Sequence, residues 1–482
     1  MTSVDELAPR RTTPPGVASV QAWLADVAAR HTMTVRQVDL DDIAPWRADP
    51  LTGDLVHPSG GFFRVTGLHV GPVVGADDHP GTPRPEGWSQ PIIDQPEVGI
   101  LGFVAARAEG RLHVLVQAKA EPGNRNGVQL SPTVQATWSN YTGKHGGASV
   151  PYLSWFTDAG RGRVLVDVLQ SEQAAWFFQK RNRNMFVLLE DREALEVLPG
   201  FRWVPLEDLY GCLLEADLVN MDARTVLSCL PLHLIGGWRE PTPGLDDRLA
   251  RTVRASLAPA TEALHPYADL LSWLTGLRSR PLRRATLVPL REVGDGWHRA
   301  DGELRHVDGG RFAIRGVQVE ARGREVRTWR QPLLAPHAEG LAVCLAAAVD
   351  DVLHLLVRAS PSPGYRDGVE LGPTLQDATD PTGAADAALP LPLRSLAVDA
   401  PSGAVLFESV LSEEGGRFWD ARTRYRLVAV DEAVVGAEPP GFRWMSLHQL
   451  GSLLQHSHYV NVELRTLVAA AHGLAATPGD VA

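Results

Sequence analysis

The sequence predicts an α+β protein in which one domain of mixed sheet and helix occurs twice in tandem. The runs Leu112–Gln135 and Leu353–Gln376 are identical at 14 of 24 positions, with a constant offset of 241 residues. The same offset relates Gly200-Phe-Arg-Trp to Gly441-Phe-Arg-Trp, where a second match of 26 positions with 11 identities begins. Repeats of solenoid proteins are only about 20–50 residues long. The repeated unit is therefore a whole domain, and the chain arose by internal duplication.

Composition limits the class of protein. The chain has 482 residues, of which 44% are hydrophobic, enough for two sizeable cores. The net charge of −11 argues against a nucleic-acid partner but allows a local basic pocket for a phosphorylated small molecule. There is no apolar run near the ~18 residues of a membrane span and no signal peptide, so we expect a cytoplasmic protein that does not contact membranes. Three cysteines without metal-ligand spacing predict buried thiols.

The elements of the first copy follow from the residue pattern in chain order. Residues 1–60 should form an N-terminal arm and a docking helix, since Val20–Arg30 has amphipathic spacing. From residue 61 the texture changes to short β-rich runs separated by Gly, Pro and Asn. We expect strands at Phe62–Val70, Gly99–Ala105, Leu112–Ala118, Arg163–Leu169 and Phe186–Glu190. Apolar residues spaced three and four apart predict helices at Glu172–Lys180, Leu206–Ala216 and Asp222–Leu230.

The domain boundaries follow from where the repeat begins and ends. We predict a first domain at 61–232, a connector at 233–299, a second domain at 300–473 and a tail at 474–482. The connector has no counterpart in the first copy, and helical spacing at Asp247–Leu257 and Tyr267–Leu277 predicts that it is helical.

A polar loop that leaves a strand is the first candidate site. The run from Lys119 to His145 offers a lysine, a glutamate, amides and hydroxyls, and such loops are where sites are built. The alternative is that these groups simply face water. The second copy keeps the turn-forming glycines but has Ser360 and Ser362 in place of Lys119 and Glu121. This difference favours a working pocket in the first copy and a degenerate one in the second.

A basic segment is the second candidate. The run that starts at Gln170 is expected to join a strand to a helix whose far end carries Lys180, Arg181 and Arg183. Guanidinium groups suit a diphosphate because each can bind two phosphoryl oxygens. The alternative is a solvated helix end favoured by the helix dipole.

Long strings of this sequence carry a family resemblance. They are WSQPIID, KAEPGNRNGVQLSPTVQATWSNYTG, VLQSEQ, QKRNRNM and GFRW with VNMDAR. They resemble the NDP-hexose 2,3-dehydratases, enzymes of deoxysugar biosynthesis for bacterial natural products, over nearly the whole chain. The resemblance implies two Nudix-like domains with one working pocket, a homodimer, and a dTDP-4-keto-6-deoxy-D-glucose substrate. It also implies that a ketoreductase acts on the product. The Glu-rich metal-binding helix of Nudix hydrolases is absent from both copies, which argues against diphosphate hydrolysis.

The implied reaction defines the groups that a site must provide. Loss of the hydroxyl at carbon 2 requires a base for the proton at carbon 3, a donor for the developing enolate, and an acid for the leaving hydroxyl. No redox cofactor is needed, because the elimination to a 3,4-diketo-2,6-dideoxy sugar is internally balanced. We therefore predict no cofactor and no metal. The rival functions are a nucleotide-sugar hydrolase with a carboxylate-bound magnesium ion and a non-catalytic nucleotide-sugar-binding protein.

Roles can be assigned on this basis. Lys119 and Glu121 are the first choice for base and polarising partner, because residues two apart on an extended chain share a face. Tyr141 and His145 are the alternatives for the acid. The predicted substrate-binding residues are Trp88, Gln129, Ser131, Thr133, Gln135, Asn140, Lys144, Gln170, Ser171, Glu172, Arg181, Asn182 and Arg183. Of these, the arginines and Lys144 are expected to hold the diphosphate. An aromatic residue, either Trp138 or Trp88, is expected to stack on the base.

Overall fold

The two copies contribute matching sets of strands and helices in a computed structural model, which confirms the α+β class and its mixed sheets. The structure describes residues 13–71, 87–141, 149–158, 160–192, 195–232, 248–280, 284–294, 296–309, 312–322, 326–377, 389–436 and 438–476. Lys144 and His145 lie outside the described residues, and for Asn140 and Tyr141 only the backbone is described. In the part of the chain that the structure describes, no helix is both long and apolar enough to cross a membrane.

The strands up to the end of the first copy are β1 (Met33–Val38), β2 (Arg47–Ala48), β3 (Leu55–Val56), β4 (Arg64–Val70), β5 (Trp88–Asp94), β6 (Gly99–Ala108), β7 (Arg111–Ala120), β8 (Val128–Ser131), β9 (Val134–Ala136), β10 (Arg163–Ser171), β11 (Arg181–Leu189) and β12 (Phe201–Pro205). Those that follow are β13 (Ala285–Val288), β14 (Trp297–Ala300), β15 (Glu303–His306), β16 (Phe312–Ala321), β17 (Thr328–Pro336), β18 (Gly340–Val349), β19 (Val352–Pro361), β20 (Val369–Gly372), β21 (Leu375–Asp377), β22 (Val405–Ser412), β23 (Arg422–Ala429) and β24 (Phe442–Ser446).

The helices are α1 (Pro15–Arg30), α2 (Trp138–Tyr141), α3 (Ser154–Thr157), α4 (Leu206–Cys212), α5 (Met221–Ser228), α6 (Arg248–Leu257), α7 (Tyr267–Arg278), α8 (Leu391–Val398), α9 (Leu447–Leu454) and α10 (Val462–Ala476). Short 3₁₀ turns occupy Leu290–Glu292, Ser402–Ala404 and Glu432–Val434.

A seven-stranded sheet forms the centre of each copy. In the first copy the order is β10-β11-β6-β7-β12, with β8 added to β7 and β9 added to β6. Strands β11 and β6 run parallel and the other pairs antiparallel. The second copy repeats this arrangement as β22-β23-β18-β19-β20, with β21 on β18 and β24 on β19. The parallel pair brings the starts of β6 and β11 side by side, at the edge where the candidate site lies.

The two smaller sheets exchange strands between the copies. Strand β1 precedes the first copy but pairs with β16 of the second, with Met33 opposite Ala321. Strand β13 precedes the second copy but pairs with β4 of the first, with Ala285 opposite Val70. Each copy therefore receives one strand from the chain segment that leads into the other. The domain boundaries at 61–232 and 300–473 stay a prediction from the repeat. Both strand pairings join a predicted domain to a strand that lies outside its boundaries.

Two buried arginines also join the copies. Arg224 on α5 donates to the backbone carbonyl of Ser412 at 2.7 Å, and Arg465 on α10 donates to the backbone carbonyl of Ser171. Both side chains are almost fully buried. A buried guanidinium is stable only when its donors are satisfied, so these bonds fix the ends of β22 and β10 against the other copy.

Most predicted elements are confirmed, and one is wrong. The segment Glu172–Lys180 is a turn, in which the amide of Glu172 donates to the carbonyl of Lys180 at 3.0 Å. Its aromatic residues Trp176 and Phe177 are buried against Phe418 of the second copy, with ring centroids 4.6 and 5.2 Å apart, so their burial does not require a helix. Strand β11 consequently starts at Arg181, so the basic residues lie on a strand and not at a helix end. The three cysteines are free and buried, as predicted.

Candidate active site

A cavity of about 110 Å³ lies where the first copy's central sheet meets a loop of the second copy. Its floor is formed by the starts of β6 and β11 and by the end of β7, and its lining is largely charged or amide. Glu414 and Arg417 enter from the turn that follows β22. The cavity is therefore composite, with walls from both copies.

The structure brings Lys119 and Glu121 together in this cavity, as their spacing predicts. The ammonium nitrogen of Lys119 lies 3.8 Å from Oε1 of Glu121 and donates to the backbone carbonyl of Gln135 at 3.3 Å. The amide of Gln135 donates to the same Glu121 oxygen at 2.8 Å and accepts from Asn220 at 3.0 Å. The Glu121 carboxyl group is thus held between the Lys119 ammonium and the Gln135 amide.

Glu121 also belongs to a cluster of three carboxyl groups. Glu121, Asp222 and Glu414 each place one oxygen within 4.8 Å of the others. Burial raises the pKa of Asp222 well above its usual value, and the neighbouring glutamates add to the effect. Burial likewise raises the pKa of Glu414 to about 7. Carboxylates this close cannot all ionise, so the cluster holds at least one proton near neutral pH. A divalent cation also favours oxygen atoms at such spacing.

A second group of polar residues in the cavity lining consists of Glu172, Lys180 and Asn182. Asn182 donates to Oε1 of Glu172 at 2.6 Å, and Lys180 donates to Oδ1 of Asn182 at 3.0 Å and to the carbonyl of Glu97. Burial lowers the pKa of Lys180 to about 8 and raises that of Glu172. Three of the predicted binding residues, Gln135, Glu172 and Asn182, thus line the cavity.

Arg417 adds a third cation to the wall. Its Nε donates to Oε1 of Gln95 at 3.1 Å, and its guanidinium lies 4.9 Å from the centre of the Phe63 ring. Together with Lys119 and Lys180, it gives the cavity three basic groups among its described lining residues. That charge suits a ligand carrying phosphates.

The arginines predicted to hold the diphosphate are not among the described lining residues of this cavity. Residues alternate between the two faces of a strand, so Asn182 faces the cavity while Arg181 and Arg183 do not line it. Arg183 instead forms a two-point ion pair with Asp167 on β10, at 2.6 and 2.7 Å.

Several predicted hydrogen-bonding residues join the copies instead of lining the cavity. Gln129 donates to the hydroxyl of Ser412 at 2.6 Å, and Ser171 donates to Glu370 at 2.6 Å. Gln170 donates to the carbonyl of Leu454 at 3.1 Å.

Other predicted binding residues form hydrogen bonds or pack within the first copy. The hydroxyl of Thr133 accepts from the amide of Val104 at 2.9 Å, and Ser131 donates to the carbonyl of Pro132 at 3.0 Å. Trp88 is buried among the apolar residues of β4 and β5 and does not line the cavity. Trp138, by contrast, is 50% exposed and follows Thr137 of the cavity wall, so it is the better placed of the two for stacking.

Sequence reasoning missed Asp222, Glu414 and Arg417. The sequence did contain a signal for Glu414 and Arg417, because each differs in chemistry from the residue at its aligned position in the first copy. These aligned residues are Gln173 and Trp176. Reactive groups present only in the second copy, and not just those present only in the first, therefore mark residues of the site.

The fold and the cavity define a duplicated α+β protein with an acid–base pocket at the joint of its copies. Such a pocket suits proton transfer on a charged ligand. Comparison with known proteins agrees: the chain belongs to the NDP-hexose 2,3-dehydratase family, whose model matches residues 17–230 and 267–471. The two matched regions correspond to the two copies, and the family's activity makes the protein an enzyme that removes a hydroxyl group as water.

Three relatives bear the name dTDP-4-dehydro-6-deoxy-alpha-D-glucopyranose 2,3-dehydratase. The chain is 42% identical to the one from Saccharopolyspora spinosa over 94% of its own length and 90% of the relative's. It is 40% identical to the one from Amycolatopsis orientalis over 95% of its length and 91% of the relative's. For Streptomyces violaceoruber the values are 41%, 94% and 96%.

Proposed function

We propose that the protein dehydrates dTDP-4-keto-6-deoxy-D-glucose across carbons 2 and 3. The observation that carries the proposal is the Lys119–Glu121 pair in a charged cavity of a chain whose relatives, at 40–42% identity, are named for this substrate. The product is a 3,4-diketo-2,6-dideoxy sugar nucleotide.

The chemistry follows from the arrangement of this pair. The ketone at carbon 4 acidifies the proton at carbon 3, and the Glu121 carboxylate accepts that proton. The Lys119 ammonium stabilises the negative charge that develops on the ketone oxygen. The enolate then expels the hydroxyl at carbon 2 as water, and the resulting enol relaxes to a ketone at carbon 3. Since electrons are neither gained nor lost overall, no redox cofactor takes part.

The cavity supports a different assignment of the phosphate-binding residues from that expected from sequence. Arg417 and Lys180 line the cavity, whereas Arg183 is paired with Asp167. We therefore assign the diphosphate to Arg417 and Lys180, with Trp138 stacking on the base and Gln135 and Asn182 binding sugar hydroxyls.

Further parts of the proposal concern fold and partners. We infer that each copy is Nudix-like, a view supported by the parallel pair in each mixed central sheet. A homodimer and a downstream ketoreductase are expected from the family resemblance. A 3,4-diketone is chemically labile, so an enzyme that reduces it promptly would preserve the product.

The experiment is incubation with dTDP-4-keto-6-deoxyglucose and a ketoreductase that traps the product, followed by mass spectrometry. Wild-type protein should yield the reduced 2,6-dideoxy sugar nucleotide. Lys119→Ala and Glu121→Gln should abolish dehydration while calorimetry still detects dTDP binding. Asp167→Asn, which removes a carboxylate outside the cavity, is the matched control and should keep turnover. Full turnover in both cavity variants would remove the pair from the mechanism.

The same assay separates the two rival functions. A nucleotide-sugar hydrolase would release dTMP and lose activity with a chelator, whereas the elimination proposed here should proceed in its presence. A binding protein without catalysis would bind dTDP and leave the keto sugar unconsumed.

A further inference from the structure

The turn after β22 is held in the first copy's cavity by the first copy's own backbone. The amide of Gly123 donates to the carbonyl of Gly415 at 2.7 Å, and the amide of Asp420 donates to the carbonyl of Gly123 at 2.9 Å. The approach is so close that a Cβ at Gly123 would lie 1.6 Å from the carbonyl oxygen of Phe418. The position of Glu414, inside this turn, is therefore fixed relative to the end of β7.

Glu414 has the surroundings of a proton donor. Its Oε1 accepts from the amide of Gly416 at 3.1 Å, while its buried Oε2 has no hydrogen-bond partner among the described residues. Desolvation is the main reason for its raised pKa of about 7, and the charges of Glu121 and Glu172 act in the same direction. Near neutral pH a large fraction of this carboxyl is in the acid form.

The corresponding positions in the two copies supply an independent argument. Glu414 of the second copy corresponds to Gln173 of the first, just as Glu121 of the first corresponds to Ser362 of the second. Gln173 lies at the equivalent place beside the second copy, where it donates to Glu413 at 2.9 Å. The place in the second copy that corresponds to the cavity therefore lacks both carboxyl groups, although each comes from a different copy. Paired absence is expected of two groups that serve one reaction.

We propose that Glu414 is the catalytic acid of the site, donating its proton to the hydroxyl that leaves carbon 2. This role rests on the proposed function. Glu121 takes the proton from carbon 3, and the electron pair is first held in the enolate. It then forms the second bond between carbons 2 and 3 as the bond from carbon 2 to oxygen breaks. The hydroxyl leaves as water with the proton from Glu414. The proton held by Glu121 then returns to Glu414 within the carboxyl cluster, so the enzyme is restored.

Glu414→Gln tests the role, because glutamine is the residue at the corresponding position of the first copy. Turnover should fall by about 10²–10⁴-fold, the usual contribution of an acid catalyst. Deprotonation at carbon 3 should persist, so NMR in D₂O should show deuterium entering carbon 3 of unconsumed keto sugar. Binding of dTDP should stay within about twofold. Glu408→Gln, on β22 but outside the cavity, is the matched control and should behave as wild type in all three measurements.

The outcomes separate this inference from the proposed function. If wild-type protein does not consume the keto sugar, the proposed function fails. If wild type is active and Glu414→Gln retains more than about a third of its turnover, Glu414 is not the acid. Loss of exchange at carbon 3 together with turnover, in a variant that still binds dTDP, also overturns the role. Should Glu414→Gln fail to fold, Glu414→Asp and Glu414→Ala are compared instead. The shorter acid of Glu414→Asp should keep measurable turnover that Glu414→Ala lacks. Equal turnover of these two variants would refute the inference.

Discussion

A methyl group at Gly123 should disconnect the second copy from the active site. The Cβ of Gly123→Ala would start 1.6 Å from the carbonyl oxygen of Phe418. Ordinary contact needs about 3.5 Å, so the turn must retreat by roughly 2 Å. The retreat breaks the two backbone hydrogen bonds between the copies, at 2.7 and 2.9 Å. At about 1–2 kcal/mol each when the groups stay buried, the loss should be about 2–4 kcal/mol of unfolding free energy.

Catalysis should suffer more than stability, because Glu414 and Arg417 move with the turn. A displacement of this size commonly costs about 10²-fold in rate. The assays are urea unfolding and turnover of the keto sugar. Gly451→Ala is the control, since no atom outside helix α9 lies within 4 Å of its Cβ and alanine favours helix by about 0.5–1 kcal/mol. A Gly123→Ala protein with wild-type turnover would show that the second copy does not complete the site.

Three further predictions concern single charges. Arg417→Ala should weaken dTDP binding by about tenfold in calorimetry, as expected for one charged hydrogen bond, while Arg183→Ala should leave it unchanged; equal effects would refute the phosphate assignment. Arg424→Ala removes a half-exposed ion pair with Glu408 at 2.8 Å and should leave turnover within about twofold of wild type, since such pairs contribute less than about 1 kcal/mol. A loss as complete as that of Lys119→Ala would show that the second copy's outer face is needed. Glu463→Gln should stabilise the protein increasingly as pH rises, because burial raises the pKa of Glu463 to about 8. The folded state holds a proton that the unfolded chain releases above about pH 4.5, so wild-type stability falls between that pH and about 8, and the variant's advantage should grow by about 2 kcal/mol from pH 6 to 8.5. Urea midpoints with the same pH dependence in both proteins would contradict this.

The duplication could be predicted from sequence because the two copies still share long strings of residues. The Lys119–Glu121 pair could be predicted because residues two apart on an extended chain share a face. Periodicity also located most helices and strands, but it failed at 172–180, where Trp176 and Phe177 are buried in a turn by packing against Phe418 of the other copy. Tertiary contacts of this kind override local pattern.

The rest of the site could not be predicted because it depends on which surfaces meet. Glu414 reaches Glu121 only through the joint between the copies, although the two residues are 293 positions apart in sequence. Gln129 and Ser171 looked like substrate ligands for the same reason: their polar groups have partners, but those partners are Ser412 and Glu370 of the second copy. Polarity in the sequence predicts a hydrogen bond without identifying its acceptor.

The exchange of strands determines how this protein could be divided. Cutting within 233–247 gives one fragment that carries β1 and one that carries β13, and each of these strands belongs to a sheet in the other fragment. Alone, each fragment would expose an unpaired edge, the feature through which chains aggregate. Mixed together, the fragments should rebuild both sheets and the shared active site. Activity of such a split enzyme would then rise with the product of two fragment concentrations, which would make it a reporter of fragment association.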